Sequence, residues 1–283
     1  MDRKNVVGNP LLKTYAPHIA RIDEALATEM GAHAGSEFHE PLLYSLDGGK
    51  RIRPLILTLS AECFGEADEN VMSAACAVEL LHTESIIHDD IIDNEMLRRQ
   101  REPFHRKYGY YTSVLSGDFV LGLILSISSR LDNARITADL ARTAMLMSEG
   151  EMMENRVVEG EDATFEDYIK TIHYKTATAF EAAAKIGAIM GGGGEKQIDH
   201  IARYGRNIGI AYQIRDDLLD WKNEDKIFNM LVRRSADPRD VFDEMEEMLK
   251  YYSGLAREAL RYVPSGEARA GLEGLIGFTV LKA

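Results

Sequence analysis

Apolar residues return every three or four positions over most of this chain, and that period admits few folds. In "PRDVFDEMEEMLKYYSGLAREAL" the stripe is Val241, Met245, Met248 and Tyr252, a spacing that keeps all four on one side of a helix. In "FEDYIKTIHYKTATAFEAAAKIGAIM" Phe165, Ile169, Ile172 and Ala179 do the same. Strand-like alternation is scarce, and no Asn-Gly or Asp-Gly pair stands between two alternating runs. Punctuation falls at Gly8-Asn9-Pro10, Asp47-Gly48-Gly49, Gly65, Asp132-Asn133, Gly160, Gly191 to Gly194 and Pro264. This predicts helices of roughly 12 to 28 residues between the breaks. No low-complexity linker or solenoid repeat divides the 283 residues. The expectation is one all-α domain over 1–283, built as a bundle of long helices.

Two of these helices carry aspartates in apolar surroundings. "SIIHDDIID" holds Asp89, Asp90 and Asp93, and "IAYQIRDDLLDW" holds Asp216, Asp217 and Asp220. Successive helical residues turn by about 100°, so Asp89 and Asp93 stack one turn apart, with Asp90 beside them. Asp216 and Asp220 stand the same way, flanked by Asp217. One such cluster alone reads most simply as a solvated helix face. Two in apolar settings point elsewhere, because buried charges must be paired or metal-bound. Carboxylate pairs that meet across a cavity suit Mg²⁺, which completes its shell with water and substrate phosphates.

An anionic substrate also needs donors. "DGGKRIRP" supplies Lys50, Arg51 and Arg53 just after a glycine turn, where a helix start would favour an anion. "LRRQREPFHRKYG" supplies Arg98 and Arg99 directly after the first acid motif. The net charge of -13 argues against a nucleic-acid partner. Cys63 and Cys76 sit in no metal-ligand spacing and read as small core residues in a reducing compartment. The first residues lack an apolar core of signal-peptide length, and "FVLGLILSI" falls short of the roughly 20 residues that cross a bilayer. A cytoplasmic protein with no transmembrane segment is expected.

"GGKRIRP", "HTESIIHDDIIDNEMLRR", "YKTATAF" and "GIAYQIRDDLLD", in that order, resemble the trans-isoprenyl (polyprenyl) diphosphate synthases from about Leu43 onward. The resemblance implies an isoprenoid synthase fold: antiparallel helices around a deep central cavity, in a homodimer or a heteromer with a related chain. It implies a Mg²⁺-dependent prenyltransferase that joins isopentenyl diphosphate to an allylic diphosphate, with three Mg²⁺ ions once substrate is bound. Asp89, Asp93 and Asp216 would hold metal, with Asp90, Asp217 and Asp220 in support. Arg98, Lys175, Thr176 and Gln213 would bind the allylic diphosphate. Lys50, Arg53, His82 and Arg99 would bind isopentenyl diphosphate. His88 reads as core packing. In such enzymes the released diphosphate takes the final proton, which matches a sequence with no evident His or Glu base.

The sequence departs from the family pattern in three places. After Asp220 the family continues with a glycine- and lysine-bearing loop. Here the chain reads "WKNEDKIFNMLVRRSADPRDVF", with Lys222 or Lys226 the nearest substitutes. This departure motivates a second reading, a subunit of a heteromeric synthase. A third, ionisation without elongation, is opposed by Lys50, Arg53 and Arg99. Five residues before Asp89, where the family sets product length, stands Glu84 with Ser85 beside it. Glu84 either polarises the elongation tunnel or turns aside to a basic partner; unpaired in an apolar tunnel it would be costly. "SEGEMMENR" places Glu151 and Glu154 where short-chain members often carry Gln and Asp, a Gly-Glu pairing more like that of the medium- and long-chain members, while on an amphipathic helix both read as solvated.

Overall fold

The computed structural model describes residues 13–98, 100–160, 163–220 and 227–280, without the side chains of Asp220, Thr279 and Val280. Among them the backbone is helical with no strand, as the apolar period predicts. They fall into two compact units, one drawn from Met1–Thr58 and Ala67–Ala138, the other from Leu59–Glu66 and Asp139–Ala283.

The first unit holds α1 (Ala16–Gly31), α2 (His39–Leu46), the start of α3 (Ile52–Glu62), α4 (Glu69–Ile92), α5 (Phe104–Tyr108), α6 (Tyr110–Arg130) and the start of α7 (Ala134–Gly160). Asp68 caps α4 by accepting from Val71 N at 2.9 Å. α4 packs against α1, α2, α5 and α6. Small and branched side chains bury every residue over 74–81. One of these is Glu79, a charge that requires a partner. Arg51 supplies it, donating to Glu79 Oε1 at 2.7 Å, to Asp23 Oδ1 at 2.8 Å and to Leu46 O at 2.8 Å. Arg51 reaches inward because its backbone is left-handed, with φ 56°. The sequence counts Arg51 among the anion donors; the structure uses it to hold the turn.

α6 is, among the described residues, the one helix long and apolar enough to cross a membrane by length and composition. Ser113, Gly117, Val120, Ile124 and Ile127 are buried on one side, while Val114, Leu121 and Leu125 are exposed on another.

The second unit continues α7 and adds α8 (Phe165–Ile172), a π-turn (His173–Ala177), α9 (Thr178–Met190), α10 (Glu195–Asp220), α11 (Ile227–Arg234), α12 (Pro238–Leu260) and α13 (Glu267–Val280). Thr164 and Asp167 form a reciprocal capping box at α8. Asp237 and Pro238 open α12. α10 packs against both α9 and α12. Its Ile210, Ala211 and Ile214 meet Tyr168, Phe228, Val241, Met245 and Leu249 in one core. The α12 stripe is therefore the buried one that its spacing predicts.

Two expectations need correction. α2 and α8 have 8 residues and α5 has 5, shorter than the long helices expected, because tertiary contacts support turns too short to stand alone. The segment from Phe165 to Met190 is also not one α-helix, since the π-turn interrupts it.

Candidate active site

The first acid motif occupies the last turn of α4. Asp89 is half-buried, Asp90 is 1% exposed, and Asp93 is the exposed C-cap residue. This is the negative end of the helix, where carboxylates are disfavoured unless a cation comes close. Arg98 is such a cation for Asp90, with Nη2 at 2.6 Å and Nε at 2.7 Å from Oδ1. Burial pushes the Asp90 carboxyl up, against the pull of Arg98.

The chain turns back after this motif. Arg98 and Arg101 exchange backbone hydrogen bonds of 2.9 and 3.0 Å, with Gln100 left-handed at φ 62°. Arg101 then donates to Tyr44 O at 2.6 Å and Asp47 O at 2.9 Å, and its guanidinium lies 4.1 Å over the Tyr44 ring. The loop after the acid motif is thereby fastened to the turn that precedes Lys50. Two basic segments that are separate in sequence become neighbours, and Lys50, Arg53 and His82 are all half-buried. Arg99 lies outside the described residues. Nothing in the sequence singled out Arg101, which reads as one more surface cation.

Glu84 has a partner, as expected of a carboxylate there: His88 Nδ1 stands 3.1 Å from its Oε1, one turn along α4. The hydrogen bond with Glu84 pushes the His88 imidazole up, against burial. His88 is thus half-exposed and hydrogen-bonded to Glu84 rather than buried in the core, and its ring fills the place a side chain on Gly117 of α6 would need. The Ser85 hydroxyl donates to His82 O at 2.9 Å.

The second motif lies on the last described turn of α10. Its side chains differ in role. Asp217 accepts from the Tyr168 hydroxyl at 2.6 Å on Oδ2 and from Gln213 Nε2 at 2.8 Å on Oδ1. Thr176 in turn donates to Gln213 Oε1 at 3.0 Å. The Asp216 side chain is 33% exposed, with Arg215 Nη1 at 3.6 Å from Oδ1. The side chain of Asp220, together with Lys222 and Lys226, lies outside the described residues.

Lys175 and Thr176 sit in the π-turn. Such single-turn widenings recur at functional sites. Lys175 Nζ is held by Glu151 at 2.5 Å and Glu154 at 2.7 Å. Both glutamates are largely buried, which corrects the expectation that they are solvated. Gly150 allows the arrangement, because a side chain there would run into the Lys175 backbone. The Gly150-Glu151 pair was visible in the sequence, but its target, 24 residues along, was not.

Among the described residues no three His, Cys, Asp or Glu side chains gather to hold a metal by themselves. The donor set nonetheless fits Mg²⁺, which takes one or two carboxylates and fills its shell with water and substrate phosphate. Asp89 and Asp93, one turn apart at a helix end, have that form. Cys63 and Cys76 are free thiols, and burial pushes both up to about 12, so neither is a nucleophile near neutrality.

The chain is 34% identical over 216 residues to the geranylgeranyl diphosphate synthase of Methanosarcina mazei, covering 74% of this chain and 65% of that one. It is 37% identical over 174 residues to the octaprenyl diphosphate synthase of Haemophilus influenzae, covering 62% and 53%. These matches span under two thirds of either relative. The crystal structure of a polyprenyl synthase from Caulobacter crescentus, complexed with calcium and isoprenyl diphosphate, superposes with a TM-score of 0.85 at 26% identity, covering 95% of this chain and 96% of that one. The sequence profile of the polyprenyl synthetase family matches residues 36–231, a span that includes both acid motifs, the glycine-lysine turn and the π-turn, and on that match the chain belongs to the polyprenyl synthetase family.

Proposed function

We propose that the chain is a Mg²⁺-dependent trans-prenyltransferase that condenses isopentenyl diphosphate with an allylic diphosphate to lengthen an all-trans polyprenyl diphosphate. The observation that supports this most is the division of labour within each acid motif. Asp90 and Asp217 are tied to protein donors, Arg98 in one case, Tyr168 and Gln213 in the other. In the first motif Asp89 and Asp93 are more exposed than Asp90, and in the second the Asp216 side chain is 33% exposed.

In this reading Asp89, Asp93 and Asp216 would hold Mg²⁺, three ions once the allylic diphosphate is bound. Bound there, Mg²⁺ stabilises the negative charge that develops as the allylic C–O bond breaks. Lys175 adds a cation already placed by Glu151 and Glu154, so little ordering remains when substrate arrives. Arg98, Thr176 and Gln213 complete the allylic clamp. Lys50, Arg53, His82 and Arg99 hold isopentenyl diphosphate, and the fastening of their two segments by Arg101 fixes one anion relative to the other. The cationic carbon requires a site closed to water. The final proton leaves to the released diphosphate.

The test is incubation of purified protein with Mg²⁺, radiolabelled isopentenyl diphosphate and allylic starters of several lengths. Labelled all-trans products are expected; their absence with every starter ends the proposal. A second reading, a subunit of a heteromeric synthase, follows from the stretch after Asp220, which lacks the family's lysine-bearing loop. Activity restored only by a co-purifying related chain would favour it. Alone, the chain is read as a cytoplasmic homodimer. The exposed stripe of Val114, Leu121 and Leu125 on α6 is apolar surface of the kind a second copy covers, and light scattering after gel filtration checks this.

A further inference from the structure

We propose that Tyr168 is a positioning residue for the second acid motif: its buried hydroxyl sets the orientation of Asp217 and, through Gln213, that of Thr176. The inference rests on the function proposed above and adds a residue to it.

Tyr168 lies on α8, is 2% exposed, and reaches across 49 residues of sequence to Asp217 Oδ2 at 2.6 Å. That is a short, direct hydrogen bond, at the tight end of the O–H···O range. Burial pushes the phenol well up, so it keeps its proton. The ring belongs to the same buried core as Ile210, Ile214, Phe228 and Leu231, with its centroid 6.4 Å from that of Phe228.

The consequence runs through Gln213. A carboxylate only accepts hydrogen bonds, so the Gln213 amide must turn its NH₂ to Asp217 Oδ1, as it does at 2.8 Å. Its carbonyl oxygen is then aimed at Thr176, whose hydroxyl donates to it at 3.0 Å. Without the Tyr168 hydroxyl, Asp217 Oδ2 loses its 2.6 Å donor from α8, and Oδ1 keeps Gln213, a flexible group on its own helix. The carboxylate, the amide flip and the Thr176 hydroxyl then all gain alternatives. Tyr168 touches neither substrate in this scheme and acts through the three residues that follow it.

Tyr168→Phe keeps the ring and removes one oxygen. We expect kcat to fall about tenfold or more, with KM for isopentenyl diphosphate within about twofold, since a positioning loss falls on the step and not on the distant substrate. Calorimetry with inorganic diphosphate plus Mg²⁺ should show weaker binding. In the Asp217→Asn background, Tyr168→Phe should cost little more, the non-additivity of groups that act in series. Unchanged kcat and diphosphate affinity, or additive losses, overturn the inference. If Tyr168→Phe fails to fold by circular dichroism, Asp217→Asn and Gln213→Ala, singly and together, read the same chain, and additivity there overturns it equally. A wild-type chain without activity or diphosphate affinity defeats the proposed function; an active wild type with an indifferent Tyr168→Phe defeats only this inference.

Discussion

Arg98 closes on Asp90 with two nitrogens on one carboxylate oxygen, at 2.6 and 2.7 Å. The pair joins the end of α4 to the loop that follows. Because Asp90 is almost wholly buried, Arg98→Ala leaves a carboxylate without its ion partner. The expected cost is about 3 kcal/mol of stability, the range for breaking a buried pair from one side. Urea unfolding reads it. A loss under about 0.5 kcal/mol, typical of exposed pairs, would show that the interaction is a surface one.

Asp89 and Asp216 should behave in the opposite way. Asp89→Ala or Asp216→Ala is expected to lower turnover by about a thousandfold or more, as removal of transition-state charge stabilisation does. The helical circular dichroism should persist, because neither side chain is buried. Unchanged turnover would mean that metal is not held there.

Lys175 combines both kinds of role. Lys175→Met leaves Glu151 and Glu154 facing each other, so stability should fall by roughly 2 kcal/mol while KM for the allylic diphosphate rises. Adding Glu151→Gln should restore stability but not KM. If KM also recovers, Lys175 serves only to neutralise the two glutamates.

Local pattern made the helical class and the order of motifs legible, since apolar period and acid spacing are properties of neighbouring residues. The pairings depend on distant ones. Lys50, Arg51 and Arg53 are equivalent as cations in the sequence, yet the left-handed backbone at Arg51 turns that one inward. The π-turn depends on close approach of Gly150 from another helix. Tyr168 looks like one more aromatic on a helical stripe until the fold brings Asp217 to its hydroxyl.

We predict that Glu84, five residues before Asp89, influences product length in the proposed reaction. Its pair with His88 is an i,i+4 contact, and such pairs contribute about 0.5 kcal/mol or less, so Glu84→Ala should unfold almost as wild type does. Chromatography of dephosphorylated products should nonetheless show a longer longest product for Glu84→Ala and a shorter one for Glu84→Phe. The same length in all three would remove Glu84 from control of elongation.

Glu181 makes stability depend on acidity away from the acid motifs. Burial would raise its pKa, but His173, 3.8 Å from Oε2, and Arg206, which hydrogen bonds both oxygens at 2.8 and 2.7 Å, outweigh this. The carboxyl is held down to about 2, against an ordinary 4.5. A depressed acid stabilises the fold when ionised, so its contribution is complete above pH 4.5. It fades as the unfolded chain begins to take up the proton and is gone below about pH 2. Arg206 is nearly half-exposed, so solvent screening limits the effect to on the order of 1 kcal/mol. Chemical unfolding of Glu181→Gln and wild type from pH 7 to 3 checks it. The wild type should be the more stable at pH 7, with an unchanging difference down to about 4.5 and a narrowing one below. A difference that stays constant into acid would mean that the carboxyl titrates normally and that the Arg206 bridge contributes nothing.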